Sequence, residues 1–294
     1  TGHIGNSQTY KQTQDMLRSY DRKLDQRLFS DIDLRYVRGF DMFLQKRGCC
    51  GNTRKFYFKA LRAILNRANA EGVGSVATYP FGRGGFEVSK LEEATAKRYL
   101  PAAELSKLKS STASNPQCEY ARKLFLFSYY CYGISFIDMA MLTAAHIKQM
   151  EDGDYIVYKR QKIKRQKGVK PISIKITPAI RQLIGSLQAA SPTVDDFLLP
   201  IVTRSGYTGE RLYMHIRTRY SKYQKYLRLL AEELGIDFHL TSYVSRHTAA
   251  MTLQRNNIPR EVISQMLGHA DLETTNIYLD SFDNRVINEA AKVL

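Results

Sequence analysis

Three residues near the C-terminal end of the sequence have types and spacing suited to phosphate chemistry. Arg246 lies in "SRHTAAMTLQRN", His269 ends "QMLGH", and Tyr278 follows nine residues after that histidine. An arginine at a buried helix start, beside a turn that holds a histidine, makes a pocket of donors suited to a phosphate group. Tyr278 is close enough in the sequence to share that pocket.

Three short helices are predicted to position these residues. "SRHTAAMTLQRN" is predicted to be a helix that carries Arg246 at its start. "PREVISQMLGH" is predicted to be a second helix, because Pro259 suits the first helical position and Gly268 suits the end. A third helix is predicted to begin near "LETTNIYL".

The composition favours a folded protein with a polyanionic partner. The chain has 294 residues, 44% of them hydrophobic, and a formal net charge of +16. Such a chain can build ordinary cores, and a basic excess of this size points to nucleic acid before membrane. No stretch approaches the roughly 20 apolar residues of a membrane-spanning helix. The four cysteines include the adjacent pair Cys49–Cys50 but no Cys-x-x-Cys, which favours a reduced cytoplasmic protein without structural zinc.

The first part of the chain is predicted to be helical from residue 7 to residue 71. The glycine-rich stretch "GVGSVATYPFGRGGFEVSK" follows and is typical of a linker or hinge. Four basic residues of the helical part are candidate DNA contacts, with a solvated helix face as the alternative: Arg54, Lys55, Lys59 and Arg62.

The second part is predicted to be mainly helical with a small β insert. "YLPAAELSKLK" opens it, and "EYARKLFLFSYYCYGISFIDMAML" is apolar enough for a pair of core helices. "DYIVYKRQKIKRQKGVKPISIKI" alternates apolar and polar residues on both sides of a basic turn, which predicts a hairpin or small sheet. Helices resume with "TPAIRQLIGSLQAA" and "RYSKYQKYLRLLAEELG".

"SRHT", "LGH" and a tyrosine nine residues later together resemble the C-terminal half of the tyrosine recombinase (phage integrase) family. The resemblance extends over nearly the whole chain, and "FLFSYYCYGISFIDMAML" and "TSYVSRHTA" look most like integrases of Bacteroides-type mobile elements. It implies a mainly α fold: a small helical core-binding (SAM-like) domain over residues 1–80, a linker over 81–96, and a mixed α/β catalytic domain of the DNA breaking-rejoining type, with a small β-hairpin or sheet, over 97–294.

The family's chemistry gives each motif residue an expected role. The hydroxyl of Tyr278 would attack a DNA phosphodiester and form a 3′-phosphotyrosine, without a metal or other cofactor. Arg246 would hold the scissile phosphate, and His269 would donate to a nonbridging oxygen or help to place Tyr278. Lys162, in the basic turn, would protonate the leaving 5′-oxygen. Its basic neighbours are rival candidates or DNA contacts: Lys159, Arg160, Lys164 and Arg165.

Two positions depart from the family pattern. The segment "GISFID" puts Ser135 where the family has its first catalytic arginine, and Tyr132 stands where related sequences often have one. Arg122, earlier in the same helix, is the candidate replacement. The family's His-x-x-Arg becomes Tyr243-x-x-Arg246, and we expect the Tyr243 hydroxyl to donate to the phosphate instead.

The resemblance implies a site-specific integrase that acts on double-stranded DNA. We expect a homotetramer on DNA joined by exchange of C-terminal helices, a host DNA-bending or directionality factor as a further partner, and a cytoplasmic, nucleoid-associated location in bacteria. Longer family members carry an N-terminal arm-binding domain that we expect this sequence to lack. Two alternatives stay open: a decayed integrase that binds DNA as an architectural factor, and a type IB topoisomerase.

Replacing the expected nucleophile separates chemistry from binding. Tyr278→Phe should abolish covalent attachment to DNA yet leave duplex affinity within about twofold, because the hydroxyl serves the reaction and not the backbone contacts. Denaturing gels measure the attachment and a binding titration measures the affinity. An adduct that survives in this variant would refute the assignment of Tyr278.

Overall fold

The computed structural model describes residues 4–93, 98–164 and 166–269, together with Thr275 and Leu279. The chain forms two compact units, Thr1–Ala96 and Lys97–Leu294. The predicted fold class is confirmed, since both units are mainly helical and the second contains a small antiparallel sheet. Within the described residues, every helix is too short or too polar to cross a bilayer.

The described part of the first unit contains three α-helices: α1 (Ile4–Tyr20), α2 (Leu34–Lys46) and α3 (Gly51–Ala70). The side chain of Asp33 accepts a hydrogen bond from the backbone N–H of Tyr36 and so fixes the start of α2. The fully buried rings of Phe40 and Phe58, one from α2 and one from α3, meet edge to face at 5.5 Å in the core.

The described part of the predicted linker packs on the first unit. Phe81 and Val88 are buried in the core of that unit. The carboxylate of Glu93 accepts a hydrogen bond of 2.8 Å from the backbone N–H of Gly51, at the start of α3. The glycine-rich composition reflects tight turns there, since Gly82 and Gly84 have φ values of +110° and +82°.

The described part of the second unit contains seven further helices and three strands. The helices are α4 (Ala102–Ser110), α5 (Pro116–Tyr130), α6 (Phe136–Ala140), α7 (Pro178–Ala190), α8 (Gly209–Glu233), α9 (Ser242–Arg255) and α10 (Arg260–Leu267). The strands β1 (Ile147–Met150), β2 (Gly153–Tyr158) and β3 (Ile172–Lys175) pair antiparallel in the order β1-β2-β3. The predicted hairpin is β2–β3.

Helix α5 lies at the centre of the second unit, where it packs against α7, α8 and α9. It begins at Pro116 because the side chain of Asn115 accepts backbone N–H groups of the first turn. Its apolar residues Leu124, Phe125 and Phe127 are fully buried. The end of α5 therefore has a fixed position from which the chain enters the turn before α6.

A buried ion pair attaches α5 to the end of α4. Arg122 donates two hydrogen bonds of 2.7 Å to the carboxylate of Glu119 and a third, also 2.7 Å, to the carbonyl oxygen of Leu108. Burial by itself would raise the pKa of Glu119, but the bonds from Arg122 and from the backbone N–H of Ala113 leave that pKa lowered. The described bonds of Arg122 join its own helix to the end of α4, which indicates a structural role for Arg122.

The two cations that face Glu119 should differ in their effect on stability. Arg122→Ala removes two hydrogen bonds from the half-buried carboxylate of Glu119 and the side-chain donor of a buried carbonyl, so we expect the free energy of unfolding to fall by about 2–3 kcal/mol. Lys123→Ala is the matched control, because its Nζ lies 3.9 Å from the same carboxylate and should contribute about 1 kcal/mol or less. Denaturant titrations compare them, and equal losses would contradict this role of Arg122.

Candidate active site

A cleft of about 340 Å³ in the second unit brings together residues from four parts of the chain. Its described lining includes four residues predicted as catalytic, Ser135, Lys162, Tyr243 and Arg246, and the rival candidate Arg160. The charged residues of the lining are four cations and one carboxylate: Arg160, Lys162, Arg217, Arg246 and Asp138. A cleft with this balance of charge suits a phosphodiester. Tyr278, the predicted nucleophile, lies outside the described residues.

Among the predicted site residues that the structure describes, Arg246 is the most buried, with 3% of its surface exposed. Arg246 lies in the second turn of α9, and its guanidinium lies between the turn that precedes α6 and the C-terminal end of α10. Nη1 donates to the carbonyl oxygen of Gly133 at 2.9 Å, and Nη2 donates to that of Leu267 at 2.6 Å. These bonds fix a charged group at the edge of the cleft.

The backbone at Gly133 lies directly against Arg246. A methyl group at this position would come within 2.4 Å of the Cα atom of Arg246 and within 2.6 Å of its Cβ and Cγ atoms. Gly133 also has a φ of +71°, a conformation that side chains disfavour. Glycine is therefore required for the turn between α5 and α6 to approach the arginine.

His269 follows a glycine that ends α10. Gly268 has a φ of +62°, which reverses the chain at the helix end, and the backbone N–H of His269 then donates to the carbonyl oxygen of Ser264. Nε2 of His269 lies 2.9 Å from Nη2 of Arg246. Its Nδ1 lies 2.8 Å from the hydroxyl oxygen of Thr275, which is fully buried. The structure thus joins two of the motif residues directly.

The hydroxyl of Ser135 has a structural role at the start of α6. Its Oγ caps α6, where it accepts the backbone N–H of Asp138 at 3.3 Å, and its proton is donated to the Asp138 carboxylate at 2.6 Å. The other oxygen of Asp138 accepts the backbone N–H of Gln161 at 2.7 Å. Asp138, buried and absent from the sequence-based candidates, therefore connects the start of α6 to the basic loop between β2 and β3.

The basic loop presents Lys162 and Arg160 to the cleft in different ways. Lys162 is exposed, as are Lys159 and Lys164, whereas Arg165 lies outside the described residues. Arg160 is half-buried and donates from Nη1 to the carbonyl oxygen of Gly268 at 3.2 Å. Its Nε is buried without a hydrogen-bond partner in the described part of the chain. Arg160 thus brings a second guanidinium beside the loop that carries His269.

Two tyrosines flank Arg246 in different environments. Tyr243 lies in the first turn of α9, half-exposed, and lines the cleft. Tyr158, at the end of β2, is buried, and burial together with the charge of Asp138 raises its pKa, although Arg246 acts in the opposite direction. Tyr158 therefore stays neutral and leaves the positive charge of Arg246 in place.

Helix α8 adds Tyr213 and Arg217 to the cleft, and the sequence did not indicate either. The predicted helix began at Arg219, whereas α8 begins at Gly209. The spacing of Tyr213, Arg217 and Tyr220 would place them on one helix face and was the available signal. The start of α8 was not predicted because charged and polar residues separate the apolar residues in its first turns.

Arg122, the candidate replacement for the first arginine, lies elsewhere. Its guanidinium is held by Glu119 and Leu108, and it is absent from the described lining of the cleft. Breaking the buried pair to move this side chain would be unfavourable by several kcal/mol.

The candidate DNA contacts of the first unit fall into two kinds. Nη1 of Arg54 lies 3.0 Å from both carboxylate oxygens of Asp41, and Nζ of Lys55 lies 2.6 Å from the carboxylate of Glu92. Lys59 and Arg62 are exposed on α3.

Comparison with known families accounts for almost the whole chain. Residues 98–285 match the phage integrase family, and residues 1–87 match the phage integrase SAM-like domain. Among curated relatives, the tyrosine recombinase XerD of Halalkalibacterium halodurans is 43% identical over 54 residues, 18% of each chain. The XerD of Brucella abortus is 30% identical over 119 residues, 40% of this chain and 35% of that one. The aligned parts thus span about a third or less of these relatives' own length.

Solved structures share the fold at low sequence identity. The XerH site-specific recombinase bound to palindromic difH substrate has a TM-score of 0.65 at 18% identity, with 97% of this chain and 79% of that chain covered. The Tn1549 transposon integrase in complex with transposon right end DNA has a TM-score of 0.63 at 14% identity, with 98% of both chains covered. The predicted SAM-like and catalytic folds are confirmed.

The close approach of Gly133 to Arg246 gives a test of the site's geometry. Gly133→Ala should push Arg246 away and slow formation of the covalent DNA adduct by about a hundredfold or more, the loss typical of one misplaced transition-state donor. Gly235→Ala is the matched control, because Gly235 also has a positive φ, +59°, but has no atom within 4 Å of an added methyl group. Equal adduct rates in the two folded variants would contradict the geometry.

Proposed function

Because the chain belongs to the phage integrase family, we propose that it is a site-specific DNA recombinase that cleaves and rejoins strands through a 3′-phosphotyrosine. The observation that carries this proposal is the buried guanidinium of Arg246, hydrogen bonded to His269 at the edge of a cleft that Lys162 also lines. These are the residue types that phosphoryl transfer requires, combined in one place.

The reaction needs no metal in this proposal. The hydroxyl of Tyr278 attacks the scissile phosphorus, and the departing 5′-oxygen takes a proton from Lys162. Arg246 and the Tyr243 hydroxyl bind the nonbridging oxygens, where negative charge develops in the transition state. The phosphotyrosine ester conserves the energy of the original bond, so a 5′-hydroxyl from another strand reverses the step.

Arg160 supplies the cation that Ser135 cannot. The Ser135 hydroxyl already donates to Asp138, whereas Arg160 lines the same cleft with a guanidinium that has unused donor capacity at its buried Nε. A charge-assisted hydrogen bond is roughly twice as strong as a neutral one. Arg160 is two residues from Lys162, so Asp138, by holding Gln161 between them, positions both cations.

The two parts of the chain divide the contacts with double-stranded DNA. Residues 1–80 form the core-type DNA-binding domain, residues 81–96 connect it, and residues 97–294 carry catalysis. Exposed Lys59 and Arg62 make phosphate contacts, and Arg54 and Lys55 do so after exchanging their carboxylate partners. Affinity therefore falls steeply with salt.

The biological setting follows from the resemblance to integrases of Bacteroides-type mobile elements. The active assembly is a homotetramer on two duplexes, joined by exchange of C-terminal helices and assisted by a host DNA-bending or directionality factor. It acts on the DNA of the bacterial nucleoid, in the cytoplasm.

Two duplexes that carry the element's end sequence test this function against its alternatives. A recombinase should give a covalent adduct and a product in which strands of the two duplexes are joined. Relaxation of a supercoiled plasmid without joining would indicate a type IB topoisomerase. Tight binding with neither adduct nor product would indicate a decayed integrase that acts as an architectural factor, the alternative that Ser135 and Tyr243 favour.

A substrate with sulfur at the 5′-bridging position tests the role of Lys162. Lys162→Ala should slow cleavage of ordinary DNA by about 10²–10⁴-fold but cleave the sulfur substrate at close to the wild-type rate, because a thiolate leaves without a proton. Lys164→Ala, an exposed change in the same loop, should cleave both substrates normally. Equal defects of Lys162→Ala on both would assign it to binding.

A neutral methylphosphonate at the scissile position tests Arg160. Arg160→Ala should slow cleavage of ordinary DNA by about a hundredfold and lose much less on the methylphosphonate, which lacks the charge that the guanidinium neutralises. Lys159→Ala removes the same formal charge from an exposed neighbour and serves as the control. A similar loss in both variants, or on both substrates, would exclude this role for Arg160.

A further inference from the structure

The hydrogen bond between Arg246 and His269 determines which ring nitrogen carries the proton. Nη2 of Arg246 lies 2.9 Å from Nε2 of His269, and a guanidinium can only donate. Nε2 must therefore accept through its lone pair. The ring is neutral in this state, with its proton on Nδ1, because a proton on Nε2 would set two donors against each other.

The proton on Nδ1 points to a buried acceptor. The hydroxyl oxygen of Thr275 lies 2.8 Å from Nδ1, and Thr275 is fully buried. A threonine hydroxyl can donate or accept, but here Nδ1 is the donor, so the hydroxyl accepts. Thr275 lies six residues after His269 and three before Tyr278.

We infer that Thr275 is a positioning residue: its hydroxyl accepts the Nδ1 proton of the tautomer that Arg246 requires, and so holds the imidazole in place as the acceptor for Arg246 before DNA binds. A buried N–H without an acceptor is unfavourable, so the Thr275 hydroxyl stabilises the form with the proton on Nδ1. That form alone presents a lone pair at Nε2. Thr275 thereby acts on Arg246 through the ring between them.

The same tautomer gives His269 a defined part in the reaction, and this step rests on the proposed function. A phosphate in the cleft offers Arg246 an anionic acceptor in place of the imidazole, which releases the lone pair of Nε2. As the tyrosine oxygen bonds to phosphorus, its proton passes to Nε2. The bond from phosphorus to the 5′-oxygen breaks, and that oxygen takes its proton from Lys162. In this step His269 acts as the general base that accepts the proton of the tyrosine hydroxyl.

Two variants of Thr275 separate its hydroxyl from its bulk. Thr275→Val keeps the shape but removes the acceptor, so the buried Nδ1 proton loses its partner and the ring should no longer be held against Arg246. Thr275→Ser keeps the hydroxyl and should behave as the wild type. We expect Thr275→Val to form the DNA adduct roughly tenfold more slowly, with duplex affinity unchanged, and Thr275→Ser to restore the rate.

The tautomer itself can be read from ¹⁵N NMR of the histidine-labelled full chain without DNA. His269→Gln identifies the signals of His269. The wild type and Thr275→Ser should show a protonated Nδ1 and an unprotonated Nε2. Thr275→Val, in which the ring is released from Arg246, should show a mixture of the two tautomers. The ¹⁵N signals of His269 would be the same in the wild type and in Thr275→Val if the Thr275 side chain only filled space.

Either measurement can overturn the inference. A wild-type His269 with its proton on Nε2 would exclude it even if Thr275→Val does not fold. A folded Thr275→Val variant with the wild-type tautomer or the wild-type adduct rate would exclude it as well. Failure of the wild type to form any adduct would refute the recombinase proposal and the role of His269 as base. It would not affect the inference about the tautomer of His269, because the NMR spectrum alone tests that inference.

Discussion

The candidate site depends on keeping one guanidinium, that of Arg246, buried and charged. Burying a charge is strongly unfavourable unless its hydrogen bonds are satisfied. The carbonyl oxygens of Gly133 and Leu267 and the imidazole of His269 all accept from it. These three acceptors are neutral, so their bonds hold the side chain without cancelling the charge that a phosphate would meet.

That requirement explains the backbone around the arginine. The turn before α6 reaches Arg246 only because Gly133 has no side chain, and the turn after α10 supplies its acceptors because Gly268 adopts a left-handed conformation. Asp138 fixes the basic loop in a similar way. Its buried carboxylate accepts hydrogen bonds from the hydroxyl of Ser135 and from the backbone N–H of Gln161. Loops that are distant in the sequence are thereby held around one cleft.

The sequence indicated candidate motif residues but not the contacts that support them. Arg246 and His269 could be assigned to one pocket because Pro259 and Gly268 indicated a short helix that ends in a turn at His269, and the structure joins the two residues directly. The bond from Asp138 to Gln161 joins residues 23 positions apart and leaves no local pattern. Phe81 and Val88 were assigned to a linker because glycines surround them, yet two well-placed apolar side chains suffice to bind a turn to a core.

The most direct test of the proposed reaction is to identify the residue that becomes attached to DNA. A nicked substrate with the element's end sequence traps the covalent intermediate, and mass spectrometry of its proteolytic peptides locates the adduct. We expect a single phosphotyrosine at Tyr278, joined to the 3′ end of the cleaved strand. An adduct on another residue, a linkage through the 5′ end, or no adduct on any such substrate would contradict it.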